Sequence, residues 1–502
     1  MKPGKKMLRL ITLCVMLCLI LAATVIFSLQ LIDFKPVYQQ SSGAAPVVSS
    51  SAGAATGSDS VQTTLSQDQS VVSIIQSAKA KAEDLEYNDI KEMVQSAVEQ
   101  AGGLQDILSD GMTVVIKPNL VTPIDYTLPG SNGKPLNPEV NGTTTDYRVT
   151  RAVVELVRQL NPSGKVYVME GSSFDTEACM KQLNYTPEYI PAVDEFIAIE
   201  DDSGPWRDYD SSQLIKVPVK DARLEGNDTV YMNKRYYEAD VLISLPVLKT
   251  HWTEVVSGAI KNVGIGATPA NIYGTSASNN LRYNVLDHDK TKLDQWIADW
   301  FTARPVTFAI IDGLQGVQNG PTPSYDMTGT TDIAQDQMNT RLILAGKDSV
   351  AVDTVSSLIM EWDPAAVGYL GHLAESGAGN SDVAKIHVVG KRVDEVRKDF
   401  KGTAPEGKFT DLKAPSVQVK NAQLSNGVLT VDITGDGKAR KVEVYKDGEY
   451  LGTCTPVDAS AFTVKVDGLG AEASTDGISL HVYDQYMNYA ELQVDLKANE
   501  QK

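Results

Sequence analysis

Between about residues 70 and 410 short apolar runs alternate with segments of helical spacing, and this alternation constrains the fold more than any other property of the chain. Strands are predicted at 112–116, 165–169, 241–245, 306–311, 341–345 and 385–389. Helices are predicted at 148–160, 290–302 and 349–360. In the first helix Val149, Ala152, Val153, Leu156, Val157 and Leu160 fall on one stripe, the period of an amphipathic helix. In the second, Leu293, Trp296, Ile297 and Trp300 form a packing face. Alternation of this kind predicts an α/β domain with a largely parallel sheet and flanking helices.

The strand ends carry the chemistry. The strand at 241–245 runs on to Lys249, Thr250 and His251, then to Gly258, Lys261 and Asn262. The strand at 112–116 runs into Lys117 and Asn119, that at 165–169 into Glu170, and that at 306–311 into Asp312. In a parallel sheet these ends share one edge, where α/β proteins build ligand sites. Ten helical residues advance about 15 Å, so His251 and Lys261 cannot meet from one continuous helix. A helix opening at Ser257 and Gly258 would instead aim free backbone N–H groups at an anion, with His251 in the loop before it.

Lys117, Lys249 and Lys261 would add charge; Asn119, Thr144, Thr145, Thr250 and Asn262 would supply hydrogen bonds. His251 and Lys261 are the candidate catalytic pair, with His251 as proton carrier. Asp146, Glu170 and Asp312 would orient it or hold a cation. An anionic ligand, carboxylate or phosphate, fits this set best.

Structural alternatives stand beside each reading. The lysines could pair with carboxylates at the sheet edge, and His251 could pack beside Trp252. Thr145 or Asp146 could cap the helix at 148, and Asp348 the helix at 349, with Asp353 one turn inside it. His288, His372, His387 and His481 show no partner pattern. A single His among scattered carboxylates is no transition-metal signature. Cys179 and Cys454 fall in different predicted domains and no CxxC pair exists, so no cysteine metal site is expected.

The N-terminus differs from the rest. Lys2, Lys5, Lys6 and Arg9 form a basic tail over 1–9, followed by a charge-free run over 10–32. That run is long enough to span a bilayer, and the basic flank places the tail on the cytoplasmic side. A Ser/Ala/Gly-rich segment over 39–69 reads as a flexible linker. The main body would then be extracytoplasmic, on a single-pass anchor. A formal charge of −19 excludes nucleic acid as a partner, because phosphate backbones are bound by basic surfaces.

Beyond the α/β body of 70–410, the pattern changes again. Short alternating runs at 428–433, 441–445, 462–466 and 478–483 are separated by turns such as Asp447–Gly448. They predict an antiparallel β-sandwich over 413–498. It is similar to immunoglobulin-like or fibronectin-like modules of bacterial surface proteins, which implies contacts with an envelope or protein partner.

The body, over roughly 70–400, resembles the family catalogued as domain of unknown function 362. The resemblance rests on Lys117, Pro118 and Asn119; on Thr144, Thr145 and Asp146; on Lys249, Thr250 and His251; on Gly258, Lys261 and Asn262; and on Asp348 and Asp353. Many relatives carry a ferredoxin-like cysteine module, which this chain lacks. The family name implies no activity. Nickel-dependent lactate racemases also place a Lys ten residues after a His, as His251 and Lys261 stand here. That similarity implies a nucleotide-derived cofactor as one alternative. A non-catalytic cell-surface protein is the other. The residues themselves specify no cofactor, reaction or substrate.

Overall fold

The computed structural model describes residues 62–121, 139–173, 176–199, 212–274, 286–287, 289–321, 333–402, 405–469, 475–494 and 496. The first described strand, β1 (Gln62–Thr64), pairs in parallel with residues near Thr463. The central sheet is built from β2 (Ser70–Gln76), β3 (Thr113–Pro118), β4 (Lys165–Glu170) and β5 (Glu195–Ala198). A separate hairpin follows, β6 (Leu214–Pro218) and β7 (Thr229–Asn233). The sheet resumes with β8 (Val241–Leu245), β9 (Val247–His251), β10 (Val255–Ser257), β11 (Phe308–Val317), β12 (Leu342–Gly346) and β13 (Ile386–Gly390).

Six described helices have eight residues or more: α1 (Tyr87–Gln100), α2 (Tyr147–Leu160), α3 (Ala259–Gly266), α4 (Lys290–Ala303), α5 (Ser349–Ile359) and α6 (Gly368–Glu375).

Neighbours in the sheet run β13-β2-β12-β11-β8-β3-β4-β5, with β9 continuing beside β11. Helices α1 and α2 cover one face, packing Ile90 and Val153 on Val114, Ile116 and Ile243. The later helices cover the other, packing Ile260, Ile297 and Val355 on Val115 and Leu242. Burial on both faces explains why these strands read as continuous apolar runs. From β3 the chain steps outward to β4 and β5, then returns through β8 on the other side of β3. The order of strands therefore reverses between β3 and β8. Their carboxyl ends flank a crevice where open α/β sheets accept ligands.

Three expectations change. Strand β12 runs antiparallel to both β11 and β2. A strand buried on both faces is equally apolar whichever way it runs, so direction leaves no trace in the pattern. Asp312 is not a strand end: β11 continues through it, and Gly313 pairs with Leu342. The strand before Lys249 does not open into a loop either. It breaks only at Pro246 and resumes as β9, which turns back antiparallel into β10.

The C-terminal part is two four-stranded sheets. One contains β1, β14 (Val417–Ser425), β15 (Val428–Gly435) and β18 (Ala461–Val466). The other contains β16 (Lys441–Lys446), β17 (Glu449–Cys454), β19 (Ile478–Tyr483) and β20 (Tyr489–Gln493). Val431, Ile433, Val444, Val464, Leu480 and Val482 fill the core between them. The end of the expected linker is thus a strand of this part, tied further by Ser66 to Thr453. The expected membrane span at 10–32 lies outside the described residues, as does most of the linker. Among the described residues no helix is long and apolar enough to cross a membrane.

Candidate functional site

At the end of β3, the Lys117 ammonium donates to Glu170 Oε1 at 2.8 Å, to the Pro118 carbonyl at 2.7 Å and to Asn262 Oδ1 at 3.2 Å. Both members of the Lys117–Glu170 pair are buried. Glu170 also accepts the Leu120 and Gly171 amides, so it ties the loop after β3 to the end of β4. A buried ion pair is tolerated when its remaining hydrogen-bonding capacity is used in this way.

Two amides pass the network onward. Asn119 Nδ2 donates to Asn262 Oδ1 at 3.1 Å. Asn262 Nδ2 donates to the Lys117 carbonyl and to Ser244 Oγ. The chain of bonds ends at Lys249 on β9, whose ammonium donates to Asn119 Oδ1 at 2.8 Å and the Thr143 carbonyl at 2.6 Å. Those acceptors are neutral. Burial therefore pushes the Lys249 pKa well below its usual value, helped by the Lys261 and Lys117 charges and opposed by Glu170.

The β9–β10 hairpin positions His251. Its Nδ1 accepts the Thr253 and Glu254 amides at 3.1 and 3.2 Å, which leaves Nε2 to carry the proton of a neutral ring. Val255 closes the turn at φ 65°, a conformation β-branched residues rarely adopt. Trp252 stands 55% exposed at the turn, its ring 5.9 Å from the imidazole.

Helix α3 brings in Lys261. Its first amides, those of Ala259 and Ile260, donate to the Asp353 carboxylate of α5 at 2.7 and 3.1 Å. The expected opening for a foreign anion at this helix start is thus filled by the chain's own carboxylate. A Cβ on Gly258 would overlap that carboxyl, which explains the glycine. Burial raises the Asp353 pKa to about 7, opposed by the two amides. At the other end, a Cβ on Gly266 would come 2.6 Å from Lys117 Nζ, so glycine lets the helix terminus settle against the ion pair. A cation at a helix C-terminus is favourable.

These groups surround a cavity of about 180 Å³. Asn119, Glu170, Lys249, His251, Lys261 and Asn262 all line it, and Trp252 stands among them. His251 and Lys261 reach it from different elements, β9 and α3. Lys261 is partly exposed and forms no ion pair or hydrogen bond among the described residues. Burial of its surroundings lowers its pKa to about 8, opposed by Glu254 and helped by Lys117. Glu254 is fully buried; no N–H or hydroxyl donates to it among the described residues. Burial and the neighbouring Asp294 carboxyl push its pKa well up.

Other expected site residues lie elsewhere. Lys117 supports the cavity from behind. Thr145 Oγ1 donates to the Leu245 carbonyl and accepts the Asn119 amide, so it positions Asn119. Thr144 bonds Asn141. The Thr250 hydroxyl bonds the Lys401 carbonyl and Gly320 amide. Asp146 caps α2 and pairs with Arg148 at 2.7 Å. Asp312 accepts the Asp146 and Leu314 amides, and burial with the Asp146 charge raises its pKa to about 7. Thus Asp146 and Asp312 lock the start of α2 to the sheet.

Trp252 and Glu254 are the site groups that sequence reasoning did not single out; Asp353 was marked by the family resemblance but not as a partner of the helix at Gly258. Only Trp252, adjacent to His251, carried a local signal. A larger cavity of about 320 Å³ lies beside the start of α5. Two of its cations are already engaged, Lys347 with Asp106 at 2.8 Å and Arg223 with the His372 carbonyl. Among the described residues no group of three His, Cys, Asp or Glu side chains could hold a metal.

Residues 114–357 match the family model described as Domain of unknown function (DUF362). The match begins in β3 and ends in α5, so it contains the whole cavity. The thylakoid-associated protein sll1697 of Synechocystis sp. is 23% identical over 295 residues, covering 57% of this chain and 75% of that protein.

Proposed function

We propose that this chain is a membrane-tethered, extracytoplasmic protein whose α/β body binds a small carboxylate or phosphate in the cavity at the ends of β3 and β8. The charge balance carries the reading. Three lysines converge on the cavity and the space behind it, yet among the described residues the ion pair seen is Lys117 with Glu170. Lys249 and Lys261 have no carboxylate within ion-pair distance among the described residues. An anion entering the cavity would satisfy both and raise both pKa values, so binding takes up protons.

Titration calorimetry of the full chain with inorganic phosphate and with acetate, each in two buffers of different ionisation enthalpy, tests this. Saturable binding with net proton uptake at pH 7.5–8.5 is expected, about tenfold or more weaker in Lys249→Met. Absence of binding for both anions overturns the reading.

The tether rests on the basic tail and the charge-free run at 10–32. A relative named as thylakoid-associated accords with attachment to a membrane. The full chain should resist alkaline extraction from membranes, and deletion of residues 1–32 should release it. An immunoglobulin-like role for the C-terminal sheets would add a contact surface to the same protein.

A further inference from the structure

We propose that Lys261 is a nucleophilic amine that condenses with the carbonyl carbon of a small oxo acid held in the cavity. The inference rests on the anion-binding reading above and names its substrate class. The three lysines are not equivalent. Lys117 has a carboxylate and two further acceptors. Lys249 gives two N–H groups to fixed oxygens, leaving a third for a ligand carboxylate. Lys261 alone of the three is held by nothing among the described residues, and it lines the cavity.

The groups around it favour a free amine. Lys117 on the sheet edge is a like charge. Glu254 is the opposing carboxyl, but burial and the neighbouring Asp294 carboxyl push its pKa up, which weakens its hold on the Lys261 charge. Lys290 takes Asp294 at 3.2 Å rather than Glu254. With its pKa near 8, on the order of a tenth of Lys261 is unprotonated at pH 7, against well under a hundredth for an ordinary lysine. A desolvated lysine beside other cations is how such nucleophiles are activated. About 180 Å³ suits a ligand of a few heavy atoms.

In the step itself the Nζ lone pair forms a C–N bond to the carbonyl carbon. The carbonyl oxygen leaves as water with two protons taken from the amine, and the product is an imine. No oxidant or reductant is consumed. His251, which also lines the cavity, carries its neutral-ring proton on Nε2 and offers that N–H as a hydrogen-bond donor to the departing oxygen, keeping its proton while both of the water's protons come from the amine.

The full chain is incubated with glyoxylate and cyanoborohydride, then analysed by intact mass and peptide mapping. One carboxymethyl group per chain is expected, on Lys261, forming about tenfold faster than on exposed Lys420. Its rate should rise with a midpoint near pH 8 and fall when inorganic phosphate is added. Lys261→Arg should lose the adduct; if that variant fails to fold, phosphate protection of the wild-type chain provides the same test. Labelling spread evenly over surface lysines, or absent, overturns the proposal. If phosphate binds while Lys261 stays unlabelled, imine formation fails and anion binding stands. If neither occurs, both fail.

Discussion

Lys441 and Lys249 are both almost wholly buried, yet their surroundings differ in kind. Lys441 lies where the C-terminal sheets meet the α/β body. It donates to Glu443 at 2.7 Å and to the Ile386 carbonyl at 2.6 Å, with the Tyr483 ring over its charge. Glu443 also accepts from the Tyr445 hydroxyl and bonds His387 at 3.1 Å, so His387, unassigned from sequence, does have a partner. Burial alone would raise the Glu443 pKa; the Lys441 charge and His387 outweigh it and bring it to about 2. This network is charge-balanced and closed, and it joins two parts of one compact unit. Among the described residues Lys249 donates only to neutral oxygens, and the Lys261 and Lys117 charges act on it against Glu170. Buried lysine is thus a joint in one place and, on the proposed reading, part of an anion site in the other, and the difference is whether a carboxylate pairs with it among the described residues.

Removing one partner tests the closed network most severely. Lys441→Met should cost about 3–5 kcal/mol in chemical denaturation, because it leaves Glu443 buried and unpaired. If Lys441→Met proved milder than Lys249→Met, the contrast between the two regions would collapse.

Asp353→Ala should come next, at about 1–3 kcal/mol, by stranding the Ala259 and Ile260 amides. Asp353→Asn should cost less and change the pH profile. Because the folded pKa of Asp353 is raised to about 7, its ionisation destabilises the fold as pH rises from about 4 to 7. The Asn variant should lack that slope in melting temperature.

Glu443 should show the opposite slope. Its folded pKa is depressed, so its contribution is full above the ordinary value of 4.5 and is lost as pH falls towards about 2. Melting curves between pH 5 and 2.5 should fall less steeply in Glu443→Gln than in the wild type.

The smallest effect is expected for Lys249→Met, at about 1 kcal/mol or less. Two hydrogen bonds are lost, but so is the cost of a buried, unpaired ammonium. Phosphate binding should nevertheless fall sharply. A large loss of stability here would make Lys249 structural and end its role as a site residue.

Most of the sheet and its long helices could be read from the chain. Tyr147–Leu160 and Lys290–Ala303 lie within one residue of their expected bounds, because amphipathic spacing is local. The cavity was legible in part: six of the expected site residues line it. The rest was hidden by distance along the chain. Asp353 caps α3 from 93 and 94 residues away, and Glu443 meets His387 across 56. No local pattern encodes either contact. Gln62–Thr64 looked like linker because a three-residue strand has too few positions to show a period.

Sequence by itself determined the alternation of strands and helices, the polar strand ends and the excess of lysine at one sheet edge, since all follow from local periodicity and composition. Tertiary structure decided which lysines are neutralised. Asp353 reached the α3 amides before any ligand could, Glu170 took Lys117, and among the described residues no carboxylate lies within ion-pair distance of Lys249 or Lys261. Charge compensation depends on side chains brought together from distant segments, and only folding selects those partners.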